Sequence, residues 1–168
     1  MRYTLSLLVT LAWGLWFGGL ITLFLIVTTL FHAFQAQRDI FGQAGSATFH
    51  VFERYQLIIG AAALVLTVLW AAARPAPVKT WLFAMLVLAG VGAAYGPIFL
   101  TPRLEALRKQ HLTATPEFRQ LHGRSMMLYT AEAALLLIGG ILLPLGIRSD
   151  AGPLTAHSPT PRPSPPAA

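Results

Sequence analysis

Four long stretches of this sequence carry almost no charge, and they limit the fold more than any other feature. They cover residues 5–31, 55–73, 80–102 and 125–147. A helix needs about 20 mostly apolar residues to cross about 30 Å of hydrocarbon, and each stretch meets that length. The sequence has no alternating strand pattern, and a helix satisfies its own backbone N–H and C=O groups, as lipid requires. We therefore predict an all-α four-transmembrane-helix bundle that forms one domain over residues 1–148.

The composition indicates that lipid surrounds these helices. Hydrophobic residues make up 55% of the 168 residues and charged residues only 11%, far from the balance of a soluble globular chain. Single basic residues at the borders of the apolar stretches contribute most of the net charge of +6, so the expected partner is the lipid bilayer and not nucleic acid. We predict a multi-pass protein of the bacterial inner (cytoplasmic) membrane. Cysteine is absent, which excludes disulfides and thiolate ligands.

The connections between the predicted helices differ in length. Residues 74–79 form a tight link that makes the second and third helices antiparallel neighbours. The other two connections are long, and we expect part-helical segments at the membrane interface. Thr115, Pro116 and Glu117 have the order of an N-cap, a first helical proline and an early acid, so a helix should begin there. Residues 149–168 are rich in Pro, Ser and Ala, and we predict a disordered tail.

Four histidines are expected at one end of the bundle. Because two crossings separate the first long connection from the other, both lie on the same side of the membrane. These connections contain His32, His50, His111 and His122. We call this side the histidine-bearing end. Imidazole binds ligands and exchanges protons near neutral pH, which is one interpretation of the cluster. The alternative is that these side chains cap helix ends or meet lipid headgroups.

Three of these histidines, His32, His50 and His122, are candidate metal ligands. His50 lies three residues before Glu53 and four before Arg54, so on a helix either side chain shares a face with the imidazole. A carboxylate beside a histidine fixes its tautomer, as it does for metal-bound histidines. The sequence completes no His-x-x-x-His or Glu-x-x-His motif. Haem held by His32 and His122 across helices is a further interpretation.

Glu132 is the one charged residue inside a predicted span. It lies eight positions after Arg124, which places it about 12 Å along the helix and near mid-depth. A charge at that depth is costly, so Glu132 should face the interior of the bundle. Ser125 and Tyr129 precede it, and the three form a polar stripe leading inward from the histidine-bearing end. Such a stripe serves a proton or cation route or anchors a ligand; the alternative is an interhelical hydrogen bond from Glu132 to a Thr or Tyr of a neighbouring helix.

Small residues recur at helical spacing on two predicted helices. Gly14 and Gly18 on the first, and Gly92 and Gly96 on the third, form Gly-x-x-x-Gly patterns that let backbones approach closely. This packing occurs within a bundle or between copies, so a homo-oligomer through these faces is a predicted partner. Pro97 follows directly and should kink the third helix. The tryptophans are expected near helix ends as interfacial anchors.

Several short motifs carry a family resemblance. They are Trp16-Phe17-Gly18-Gly19, Gln43-Ala44-Gly45 before Phe49, Phe52 and Tyr55, then Pro97, and Phe118-x-x-x-His122-Gly-x-Ser125. With these motifs, over about residues 11–142, the chain resembles an uncharacterised four-helix membrane family, a domain of unknown function related to the human transmembrane protein linked to cisplatin resistance. The resemblance implies a four-pass domain with the His122 segment as its polar feature. A looser similarity links the first helix to copper-resistance D proteins and to the haem-binding protoporphyrinogen oxidase of bacteria, whose early histidine is absent here.

We therefore expect an integral membrane protein, not an enzyme, that handles a small solute, a metal or a proton at the histidine-bearing end. A first alternative is a membrane oxidoreductase that binds haem or quinone between its helices. A second is a structural or assembly subunit whose role is helix packing. The candidate residues for ligand or proton handling are His122, His50, His32, Glu132, Tyr129, Arg54 and Glu53.

Overall fold

The computed structural model describes residues 2–34 and 36–151, which are almost entirely helical. The helices are α1 (Arg2–Ala33), α2 (Arg38–Ala73), α3 (Pro77–Tyr95), α4 (Thr101–Lys109) and α5 (Pro116–Ala151). A π-helical turn, Gly96–Leu100, joins α3 to α4 without a break. Within these residues no strand occurs. Four helical spans are long and apolar enough to cross a membrane: Tyr3–Ala33, Gly42–Ala73, Pro77–Lys109 and Pro116–Asp150. The predicted all-α four-helix fold is confirmed.

The four spans pack as a ring. α1 packs against α2 and α5, and α3 packs against the same two helices. Successive spans alternate in direction. The end of α1, the start of α2, the end of α4 and the start of α5 therefore meet on one side, which is the histidine-bearing end.

The helices at the histidine-bearing end are longer than the sequence predicted. α2 begins at Arg38, whereas its predicted span began at residue 55, so the first long connection is continuous with the span. Gly42 and Gly45 in this segment each destabilise the helix by only about 1 kcal/mol relative to alanine, and packing offsets that cost. The third span likewise continues through α4 to Lys109. The predicted helix start at Thr115 is confirmed, since the Phe118 N–H donates to Thr115 Oγ1 at 3.3 Å.

Three tryptophans fill the interior where glycines leave room. Trp16 and Trp70 are fully buried. A Cβ on Gly60 would lie 3.0 Å from Trp16 Cη2, and one on Gly146 would lie 2.8 Å from Trp70 Cη2. Trp13 packs on α5 in the same way and donates its Nε1–H to a backbone carbonyl of α5 at 2.7 Å. The expectation of interfacial anchors is wrong for these three residues, because the glycines opposite them leave space for a ring inside the bundle.

The two Gly-x-x-x-Gly patterns have different surroundings. A Cβ on Gly92 or Gly96 would contact Leu128 of α5, at 3.5 Å and 3.9 Å, so these glycines bring α3 close to α5. A Cβ on Gly14 or Gly18 would meet nothing within 4 Å. That pair faces a groove between α1 and α2. Packing inside the bundle therefore uses the α3 pattern.

A buried ion pair closes the end opposite the histidines. Lys79 Nζ lies 2.8 Å from Asp150 Oδ1, and the Trp70 Nε1–H donates to Asp150 Oδ2 at 2.7 Å. Arg74 donates to the Asp150 backbone carbonyl at 2.6 Å. The predicted tail therefore began too early, because these three partners hold the helix past Asp150. The remainder of the predicted tail, residues 152–168, lies outside the described residues.

We expect Gly140→Ala to lower the free energy of unfolding by about 1–3 kcal/mol, because overpacking a filled interior is destabilising. The added methyl group would lie 2.8 Å from Trp13 Cη2. Gly139→Ala is the matched control, since its methyl group would make an ordinary 3.5 Å contact with Leu82 Cδ1. Reversible unfolding of both variants in detergent micelles measures the difference. Equal stabilities would contradict the tight packing of Trp13.

Candidate functional site

A cavity of about 340 Å³ lies at the histidine-bearing end, between α1, α2, α4 and α5. Its lining combines apolar and polar side chains. The apolar ones include Val27, Phe31, Phe49, Leu104 and Met126, and the polar ones include Ser46, Glu105, Arg108, His122 and Ser125. Gly45 also lines the cavity, and a Cβ there would meet nothing within 4 Å. The early turns of α2 and residues 103–109 of α4 were predicted as connections, and they supply much of this lining.

Glu105 links α2 and α4 at the outer end of the cavity, which we call its mouth. Its Oε1 accepts hydrogen bonds from the Arg108 Nη1–H at 2.7 Å and from the Ser46 hydroxyl. His50 Nε2 lies 3.8 Å from the same oxygen. These contacts tie α2 to α4, and charge-assisted hydrogen bonds are about twice as strong as neutral ones. His122 lines the cavity from α5, with its ring stacked on a phenylalanine one turn earlier.

Glu53 lies deeper than the mouth, with 3% of its surface exposed. Its Oε1 accepts hydrogen bonds from the Thr101 hydroxyl and from the Tyr129 hydroxyl, the latter at 3.4 Å. Its Oε2 lies 3.7 Å from His50 Nδ1, and the His50 side chain is 49% exposed. His50 and Glu53 therefore share a helix face as expected. Thr101 and Tyr129 both line the cavity, so the buried carboxyl group contacts the cavity lining through two hydroxyl groups.

Pro97 explains why the Thr101 hydroxyl meets the Glu53 carboxyl group. Proline has no N–H, so Pro97 cannot donate to the carbonyl of Ala93 one turn earlier. Gln56 Nε2 donates to that carbonyl instead, at 3.2 Å. The helix then widens into the π-helical turn, in which the Thr101 N–H donates to the Gly96 carbonyl. Such turns are frequent at functional sites, and this one sets the rotation of α4 that brings the Thr101 hydroxyl to the carboxyl group on α2.

Glu132 lies one helical turn deeper than Tyr129, with 1% of its surface exposed. The Trp16 Nε1–H donates to its Oε1 at 2.9 Å. Its Oε2 has no hydrogen-bond partner among the described residues, and Gln56 Oε1 has none either. The prediction that Glu132 faces the interior is confirmed. The alternative interpretation, an interhelical hydrogen bond, is also met, but its donor is Trp16 and not the expected Thr or Tyr.

Two candidates lie on the outer surface. Arg54 is exposed on α2, and His32 is exposed near the end of α1 with its ring 5.8 Å from that of Phe31. Throughout residues 2–34 and 36–151, no group of three His, Asp or Glu side chains is placed to hold one metal ion. The structure thus gathers His50, Glu53, His122 and Tyr129 around the cavity, with Glu132 one turn below.

Sequence reasoning did not identify several residues of this network. Glu105 and Arg108 are three apart, a spacing that indicates an ion pair once that segment is known to be helical. Pro97 indicated a kink, and the carbonyl four residues before it was the signal for an additional donor such as Gln56. No feature of the sequence indicated that Trp16 would bind Glu132.

Comparison with known proteins identifies a family. A family model described as Domain of unknown function (DUF4149) matches residues 11–113. The match covers most of α1 and all of α2, α3 and α4, whereas α5 lies beyond it. No curated protein and no solved structure matches the chain. Function therefore has to be argued from the geometry of the site.

We expect Thr101→Val to lower the free energy of unfolding by about 1–3 kcal/mol, because buried Glu53 loses a hydrogen-bond donor. Thr130→Val is the matched control, since the exposed Thr130 hydroxyl donates to the Met126 carbonyl of its own helix at 2.8 Å. A double-mutant cycle with Glu53→Leu, which removes the acceptor, measured by unfolding in micelles, isolates the Thr101–Glu53 interaction. A loss no larger than that of the control would contradict the assigned bond.

Proposed function

We propose that this chain, which belongs to the family described as Domain of unknown function (DUF4149), binds a small amphiphilic solute in the cavity at its histidine-bearing end. The supporting observation is the cavity itself, which combines apolar side chains with a charged pair and an imidazole. Pockets of this kind, mostly apolar with a few convergent polar groups, are the usual form of small-molecule sites. We place the protein in the inner membrane of a bacterium, as a multi-pass protein.

The size of the cavity limits the solute. A volume of about 340 Å³ corresponds to roughly eleven waters at about 30 Å³ each. A solute of about ten non-hydrogen atoms is therefore the expected size. Val27 lies deep in the cavity, and Phe31 lies one turn closer to the mouth on the same helix. An alkyl chain or a small ring packed there would be removed from water, which is favourable.

The polar groups favour a headgroup that accepts hydrogen bonds. Glu105, the carboxylate of the cavity, is already engaged by Arg108 and Ser46. The guanidinium of Arg108 has five N–H donors in a planar fork that matches a carboxylate, and the bond to Glu105 is made by Nη1. His122 and Ser125 add donors from the facing helix. We therefore propose a carboxylate as the headgroup of the solute.

The contacts of Glu53 support a proton-handling role beside solute binding. Half-exposed His50 lies between Glu53 and Glu105, within 3.8 Å of both carboxyl groups. Histidine exchanges protons near neutral pH, so His50 is suited to carry a proton between the surface and the buried carboxyl group. A carboxylate solute that binds near this group would then bind in a pH-dependent way.

Other proposals rest on the sequence. A homo-oligomer through Gly14 and Gly18 remains a prediction, supported by the groove that these glycines face. The relation to the human protein linked to cisplatin resistance, and the role as an assembly subunit, also remain predictions. The bilayer as partner, with no nucleic-acid partner, likewise remains a prediction from the composition.

We expect Gly45→Leu to lower the affinity for octanoate about tenfold or more, because the added side chain occupies the cavity. Octanoate has the proposed headgroup and size. Gly123→Leu is the matched control: that glycine is exposed on α5, and its Cβ also meets nothing within 4 Å. Leucine is a better helix former than glycine, so both variants should fold.

Equilibrium binding of labelled octanoate to the protein in lipid nanodiscs, with empty nanodiscs as the blank, measures this affinity. Binding by the wild type that does not exceed the blank would refute the proposal. So would a Gly45→Leu variant that binds as well as Gly123→Leu.

The oxidoreductase alternative makes a different prediction. Haem held by His32 and His122 would give the purified protein a Soret absorption band, which His32→Ala or His122→Ala would abolish. His111→Ala, in the connection between α4 and α5, is the control and should keep the band. A wild-type spectrum without that band would remove tightly bound haem from consideration.

A further inference from the structure

Two oxygen atoms deep in the bundle lack a hydrogen-bond partner in the described part of the chain. They are Gln56 Oε1 and Glu132 Oε2, on residues that are 0% and 1% exposed. A buried polar atom without a partner costs about 1–3 kcal/mol, and more when it is charged. Such atoms are rare in native structures and mark a catalytic role or the position of a bound water or ion. Neither atom belongs to the lining of the cavity described above.

The identity of the two free oxygens is fixed by their neighbours. The Ala93 carbonyl oxygen accepts hydrogen bonds and cannot donate one. The nitrogen of the Gln56 amide must therefore face it, and the amide oxygen must face away. The Trp16 indole is a donor only, so it engages one oxygen of Glu132 and leaves the other. Both free atoms are therefore acceptors, and neither can satisfy the other directly if Glu132 is a carboxylate.

The residues that carry the two oxygens lie at the same depth. Gln56 is one helical turn inward from Glu53, and Glu132 is one helical turn inward from Tyr129. Glu53 and Tyr129 contact each other at 3.4 Å, and α2 and α5 both run inward from the histidine-bearing end. The free oxygens thus belong to one layer of the bundle, directly below the level of Glu53.

The Trp16 indole lies directly beneath this layer. Its Nε1 binds Glu132 on α5, and its far ring edge reaches α2, where a Cβ on Gly60 would lie 3.0 Å from Cη2. Gly60 is one turn below Gln56. The indole therefore crosses the bundle just beneath both oxygens and separates them from the apolar residues below.

The described contacts of Glu132 supply no positive charge, since Trp16 donates a neutral N–H. A carboxylate in an apolar interior requires a compensating charge. We propose that Glu132 Oε2 and Gln56 Oε1 bind one small monovalent cation, Na⁺ or a hydrated proton, in the middle of the bundle. Carboxylate, amide and water oxygens are the ligands that hard cations prefer. This site is independent of the proposed solute, because Gly45→Leu fills the cavity and leaves these oxygens in place.

Thermal unfolding of the detergent-purified protein in NaCl and in choline chloride at equal ionic strength tests the site. We expect Na⁺ to raise the Tm of the wild type by about 4 °C or more, since a ligand that binds only the folded state stabilises it. Gln56→Leu and Glu132→Gln should each abolish that rise. Gln43→Leu and Glu117→Gln are matched controls on the same two helices at exposed positions, and both should keep it.

A second measurement separates the proton from Na⁺. A hydrophobic carbodiimide modifies protonated carboxyl groups in apolar surroundings, and intact mass with peptide mapping locates the adduct. Labelling of Glu132 that Na⁺ suppresses identifies a Na⁺ site. If the bound charge is a proton, labelling is insensitive to Na⁺, declines as pH rises, and changes its pH dependence in Gln56→Leu but not in Gln43→Leu. The proposal would be overturned if the Tm shows no Na⁺-specific rise and the labelling of Glu132 between about pH 5 and 9 is either absent or has the same pH dependence in Gln56→Leu as in the wild type.

Discussion

The carbonyl oxygen of Ala93 lacks its usual helical donor, because the residue four positions later is Pro97, which has no N–H. Much of the polar interior depends on how the bundle replaces that donor. In hydrocarbon no water replaces the missing N–H, so a donor has to come from a neighbouring helix. Gln56 of α2 supplies it. The same proline starts the π-helical turn, which rotates α4 so that the Thr101 hydroxyl meets Glu53. Pro97 thus explains why the Gln56 amide and the Glu53 carboxyl group are buried one helical turn apart on α2.

The two ends of the bundle differ in the way their polar groups are satisfied. At the far end Lys79, Trp70 and Arg74 all bind Asp150, so a short-range set of bonds joins α2, α3 and α5. Removing one partner from a buried pair of this kind is strongly destabilising, which makes that end a fixed closure. At the histidine-bearing end the helices separate around a cavity, and its charged groups lie along the lining. A closed end and an open end are the arrangement expected when binding occurs at one side.

The sequence predicted those parts of the structure that depend on local patterns. Charge-free stretches gave four spans, because the thickness of a bilayer sets the length of an apolar helix. The cost of a charge at mid-depth predicted that Glu132 faces the interior. The spacing of His50 and Glu53 predicted a shared face, and the order of residues around Thr115 predicted the start of α5.

The parts that depend on contacts between distant residues could not be predicted in this way. Asp150 looked like the start of a tail because its partners, Lys79 and Trp70, are more than seventy residues away. Trp16 looked like an interfacial anchor because the space opposite Gly60 exists only after α1 and α2 have packed. The same holds for the cavity, whose lining comes from four helices. Hydropathy therefore determined the spans, and side-chain complementarity determined where the spans place their polar groups.

The distribution of polar residues along the axis bears on transport. From the mouth inward, Glu105 and His50 lie at one level, Glu53 follows about one helical turn deeper, and the layer of Gln56 and Glu132 lies about one turn below Glu53. Below Trp16 the buried core contains Leu82, Leu86, Leu136 and Leu143 before Asp150 is reached. An ion in that apolar layer would lose its oxygen ligands, at a cost of many kcal/mol. In this conformation the cation proposed at Glu132 would therefore exchange with the histidine-bearing side, and its passage to the other side would require the helices packed around Trp13 and Trp70 to separate. The described arrangement supports binding from the histidine-bearing side. It does not support conduction of an ion through the bundle.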